Sequence, residues 1–140
     1  MPEPSPTPEV SSPASAAPAR RKSKRTVTHA RVCVQAGPNN TIVTITDDEG
    51  RALVWASAGS CGFKGSRKST PYAAKVTAEK AAEKAQPFGI QTVSVFVKGI
   101  GPGREQALRG LQGSGLEFDR IVDATPIAHG GCRPKRRRRI

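Results

Sequence analysis

Apolar and polar positions alternate with a period of two in several stretches of the chain, and that period predicts strands. In residues 27–36 (VTHARVCVQA), Ala30, Val32 and Val34 share one face, while His29, Arg31 and Cys33 share the other. Thr41 to Thr46 (TIVTIT) is a run of β-branched residues, which suits a pleated surface. Arg51 to Ala58 (RALVWASA) reads as a third strand. Gly37-Pro38-Asn39-Asn40 and Asp47-Asp48-Glu49-Gly50 separate these runs with turn-forming residues, so the three strands form an antiparallel meander. Further on, Ile90 to Lys98 places Val93, Val95 and Val97 on one face, and Leu116 to Val122 is the last strand.

Two segments carry helical signals instead. Thr70 is a capping residue followed by Pro71 at the first helical position. The alanine-rich segment to Ala85 continues that helix, with Glu79, Lys80, Glu83 and Lys84 giving it a solvated side, until Pro87 and Gly89 stop it. Residues 102–112 predict a second helix with Ala107, Leu108 and Leu111 inward, ended by Gly113 and Gly115. The order β-β-β-α-β-α-β makes this an α/β chain. It has a mixed five-stranded sheet and two main helices, in a ribonuclease H-like topology, because each strand–helix–strand step is a right-handed parallel crossover. The expected organisation is a Pro/Ser-rich, disordered extension over 1–25, a globular domain over 26–128 and a basic tail over 129–140.

Charge changes the picture. The chain has 140 residues and a formal net charge of +12. Residues 26–132 contribute little of the excess, with twelve Lys/Arg against nine Asp/Glu. The rest sits in two clusters: Arg20, Arg21, Lys22, Lys24 and Arg25 on one side, Arg133, Lys135, Arg136, Arg137, Arg138 and Arg139 on the other. One such run is often a solvated segment. Two clusters flanking one small domain point to a polyanion, since each neutralised phosphate releases a counterion. No amphipathic helix or lipidation motif favours a membrane surface, and no apolar run reaches the ~18 residues of a membrane span. The N-terminus lacks the apolar segment of a secretory signal. Cys33, Cys61 and Cys132 fit no zinc spacing and read as reduced thiols in a cytosol-like compartment. No cofactor or metal is expected.

Three constellations suit an anionic partner. In Cys61–Thr70 (CGFKGSRKST), Lys64, Arg67 and Lys68 supply charge, Gly65 and Ser66 expose donors, and Phe63 offers a face to an unpaired base. The loop feeds a helix N-terminus, where the dipole favours anions. A flexible surface loop is the plain alternative. The segment Lys98-Gly99-Ile-Gly101-Pro-Gly103-Arg104 also joins a strand to a helix, in the manner of a phosphate cradle, although it has neither the P-loop spacing nor the third glycine of a dinucleotide fingerprint. A tight turn is its alternative. Finally His129, Gly130, Gly131 and the arginines from Arg133 onward form a tail too polar to fold alone, whose guanidinium forks suit phosphates.

The topology also admits a metal-dependent nuclease, which needs clustered carboxylates. The first strand has none, and Asp47, Asp48 and Glu49 lie in a turn, so a non-catalytic role is favoured.

Four segments in order carry a family resemblance: Asn39–Asp47 (NNTIVTITD), Gly62–Pro71 (GFKGSRKSTP), Val97–Glu105 (VKGIGPGRE) and Asp123–Pro134 (DATPIAHGGCRP). Over about residues 20–140 the chain resembles bacterial ribosomal protein eleven of the small subunit. The resemblance implies a structural constituent of the cytoplasmic small ribosomal subunit. It would bind central-domain ribosomal RNA on the platform, beside small-subunit proteins six, eighteen, seven and twenty-one, and help to shape the mRNA exit and Shine–Dalgarno cleft. It adds Asn39 and Asn40 to the RNA-contact candidates. The chain departs from the family pattern at Cys33, Gln35, Pro38, Ile100 and Gly130. A free nucleic-acid-binding module stays open as the second reading.

Overall fold

The computed structural model describes residues 26–137. The calls on Arg20, Arg21, Lys22, Lys24, Arg25, Arg138 and Arg139 therefore lie outside the described residues. Five strands form one sheet: β1 (His29–Ala36), β2 (Thr41–Thr46), β3 (Ala52–Ser57), β4 (Thr92–Lys98) and β5 (Glu117–Asp123). Their order is β3-β2-β1-β4-β5. The β1–β2 and β2–β3 pairs are antiparallel, while β4 runs parallel to β1 and to β5. The helices α1 (Pro71–Ala85) and α2 (Arg104–Gly113) are the two crossovers. The mixed sheet expected from the element order is the one observed.

Alternation decides which face of the sheet is covered. Ala30, Val32, Val34, Val43, Ile45, Val93, Val95 and Val97 point to the helix side and are buried in the core. Helix α1 meets them with a stripe of small side chains, Ala73, Ala74, Ala78, Ala81, Ala82 and Ala85, which lets its axis approach the sheet closely. Thr77 lies in the same stripe, and its hydroxyl is satisfied by donating to Ala73 O, 2.7 Å. Helix α2 adds Ala107 and Leu111, both fully buried, with Leu108 half-buried beside them. Gly110 is buried too, because α1 passes so near that a Cβ there would stand 2.8 Å from Lys75 O.

Several boundaries differ from the sequence expectation for identifiable reasons. Strand β1 begins at His29 rather than 27 because Val27 N–H turns aside to donate to Phe88 O, 3.0 Å. Strand β3 is trimmed to Ala52–Ser57, since Asp47 N–H takes Arg51 O at 2.9 Å and closes the hairpin turn. Helix α2 starts at Arg104, after Pro102 and Gly103 complete a turn. Within the glycine-rich segment before α1, Gly65–Ser69 forms a 3-10 turn.

Candidate nucleic-acid interface

The topology sends the β1–β2 turn, the β3–α1 loop, the β4–α2 loop and the chain after β5 to one end of the sheet. Among the described residues these segments hold the candidate RNA contacts, and the fold brings their starting points to one end, while the Arg20–Arg25 candidates lie outside the described residues.

The β1–β2 turn is closed by Gly37 N–H donating to Asn40 O, 2.9 Å. Asn40 Oδ1 accepts from Thr41 N–H, 3.0 Å, which caps the start of β2 and occupies that side-chain oxygen. Asn39 is exposed. The β4–α2 loop lies directly on this turn: Gly101 N–H donates to Ala36 O, 2.9 Å. The approach requires glycine. Gly99 has φ +100°, and a Cβ there would collide with Ala36 O, while one on Gly101 would collide with Gly37 O. Lys98 is exposed at the head of the loop. Gly103 opens α2 against α1, where a Cβ would stand 2.6 Å from that of Ala74. A cleft of about 260 Å³ lies where the two helix starts meet, between Pro71 and Gly101–Gln106.

The β3–α1 loop begins with a reciprocal serine lock. Ser57 N–H donates to Ser60 Oγ, 2.9 Å, and Ser60 N–H donates to Ser57 Oγ, 3.2 Å. The 3-10 turn then ends where Thr70 N–H and Oγ1 donate to Arg67 O, at 3.3 and 2.8 Å. Thr70 Oγ1 in turn accepts from Ala73 N–H, 3.3 Å. With Pro71 lacking an N–H, the first turn of α1 keeps fewer open donors than a bare helix start, so the charge of this loop resides in its side chains. Lys64, Gly65, Ser66 and Arg67 are exposed and Lys68 is half-buried. Among the described residues none of Lys64, Arg67 and Lys68 forms an ion pair. Phe63 is half-buried and meets Tyr72 edge-on, with ring centroids 6.0 Å apart. Tyr72, not singled out from the sequence, is the more open ring of the two, at 68 % exposure.

Arg104 stands apart from the other candidates. Its guanidinium donates to Gly99 O at 2.5 Å and to Thr125 Oγ1 at 3.4 Å, and it pairs with Asp123. Thr125 closes the cluster: its N–H and hydroxyl donate to Asp123 Oδ1 at 3.0 and 2.6 Å, and its oxygen accepts from Gly99 N–H at 3.2 Å. Ala124 N–H adds a bond to Val97 O, 2.9 Å. The hydrogen bonds from Thr125, followed by those from Arg104, hold the Asp123 carboxyl down from 3.8 to about 2. Arg104 thus ties the root of the tail to the glycine loop, and its fork is engaged within the protein. No sequence motif joined these residues, because Arg104 and Asp123 fall in different segments.

Beyond this clamp the tail leaves the body. His129, Gly130, Gly131, Arg133, Lys135, Arg136 and Arg137 are all exposed and in no regular element.

The carboxylates weighed for metal catalysis lie at the opposite end, in the β2–β3 turn. Arg51 pairs there with Asp47 at 3.4 Å and with Glu49, and Arg31 lies 3.9 Å from Asp48. Among the described residues no group of His, Cys, Asp or Glu is arranged to hold a metal ion. No helix among them is long and apolar enough to cross a membrane.

The family model described as Ribosomal protein S11 matches residues 30–139. The match takes in all of the sheet but the first residue of β1, both helices, the two basic loops and the tail up to residue 139.

Proposed function

Because the chain belongs to the ribosomal protein S11 family, a family of structural and non-catalytic constituents of the small ribosomal subunit that bind ribosomal RNA, we propose that it holds central-domain RNA on the platform of that subunit. It does so through the end of the sheet where the loops and tail converge. The convergence is the observation that carries this reading. Four separate chain segments bring Asn39, Lys64, Arg67, Lys68, Lys98 and the start of the tail to one end of the sheet, while the Asp47–Glu49 turn lies at the other. Phosphate contacts of this kind set position and affinity without reading sequence. Discrimination then comes from the shape of the folded RNA. In this reading the tail runs out from the Arg104–Asp123 clamp toward the mRNA exit and the Shine–Dalgarno cleft. Proteins six, seven, eighteen and twenty-one of the small subunit are its neighbours there.

Sedimentation tests the assignment. The tagged protein is expected to comigrate with small subunits through a high-salt wash. Recovery as free protein at the top of the gradient in moderate salt would favour a nucleic-acid-binding module acting outside the ribosome.

A further inference from the structure

Both helices pack on one face of the sheet, and among the described residues no element covers the other. Strand register sets out what that open face displays. Trp55 is opposite Thr44, Thr44 opposite Cys33, Cys33 opposite Phe96 and Phe96 opposite Val122, which makes one row across all five strands. Trp55 is 59 % exposed, although a large aromatic on a sheet is ordinarily covered. The Arg120 guanidinium stands over the Phe96 ring, 5.8 Å from its centroid. Three strand spacings put the two aromatics about 14 Å apart. The smaller side chains of Thr44 and Cys33 lie between them in the row.

We propose that this row is a stacking platform for unpaired nucleotides of RNA. The inference presupposes only that the chain meets RNA, and it adds a surface distinct from the loops and tail. Three features favour a nucleic acid over an apolar protein partner. Every base has a π-face, so aromatics spaced along a sheet stack successive bases whatever their sequence. Arg120 lies over Phe96, and the outward side of its guanidinium suits a base or a phosphate. The next row toward the loop end contains Gln35 and Lys98, and leads directly into the Gly99–Gly103 loop. The carboxylates near this face lie toward the far end, where Asp48 faces Arg31 at 3.9 Å and Asp119 accepts from Ser94 Oγ at 3.4 Å. On the open face, the path from Lys98 to the aromatic row crosses no carboxylate.

Trp55 is the only tryptophan of the chain, so its emission reports this face alone. Full-length protein is titrated with single-stranded oligoadenylate and, separately, with RNA duplex of equal length, and binding is followed independently by the anisotropy of labelled RNA. The single strand is expected to quench Trp55 as it saturates, and the duplex to bind without quenching. Trp55→Leu and Phe96→Leu are each expected to weaken the single strand about ten-fold while leaving duplex affinity unchanged, and Trp55→Tyr to restore it. Saturation by the single strand with unaltered emission would overturn the platform and leave the loop-and-tail reading standing. So would an emission change seen only when other small-subunit ribosomal proteins are added, since that result assigns the face to a protein. Failure to bind either RNA would overturn both readings.

Discussion

At the scale of single residues, the clamp around Asp123 does more than its exposure suggests. A carboxylate open to solvent ordinarily gains little from an arginine nearby. Here three elements meet on it: Thr125 from the tail, Arg104 from α2 and, through Arg104 and Thr125, the backbone of Gly99. Its pKa is about 2 in the folded protein against 3.8 for the free group, so the fold favours the ionised form. The resulting stabilisation is complete above the free value and is lost as pH falls from about 4 through about 2. The protection factors of the Ala124 and Thr125 amides, with the intrinsic pH dependence of exchange divided out, are expected to fall across that window. In Asp123→Asn protection should be low already at neutral pH and should not change across the window. Exchange that stays slow in the variant would mean that the tail root is held by other contacts.

At the scale of elements, loops and tail divide the work. The loops are shaped before any RNA arrives: glycine at 99 and 101 lets one loop lie on the β1–β2 turn, and a 3-10 turn with a threonine cap shapes the other. Among the described residues, the tail past Thr125 has exposed cations and no regular element, and an RNA that fixed it in one shape would do so at an entropic cost. Truncation after Arg133 removes Lys135 to Arg139. The salt slope for isolated ribosomal RNA is expected to shrink by roughly three to five units, given about one unit per phosphate contact. An unchanged slope would assign the binding to the loops alone. The sequence made most of this level legible, because period and capping are local. Thr41–Thr46 and Pro71–Ala85 have the bounds that β-branching, Thr70 and Pro71 dictate. What it hid depends on contacts between distant segments. The role of Arg104 is set by Asp123 and Thr125, the burial of Gly110 by the nearness of α1, and the 3-10 turn at Gly65–Ser69 by bonds that glycine content tends to mask.

At the scale of the whole molecule, strand direction is the source of polarity. β1, β4 and β5 end where β2 begins, which sends the basic segments to one end and the Asp47–Glu49 turn to the other. A modest excess charge over 26–132 thereby becomes a directed one. The alanine stripe of α1 and the valines of the sheet form the core that keeps those loops in register. Lysine acetylation of the protein in assembled small subunits, compared with the free protein, tests this arrangement most directly. Lys64, Lys68, Lys98 and Lys135 are expected to be protected in the subunit. Modification of these four at the rate of the free protein would contradict the account.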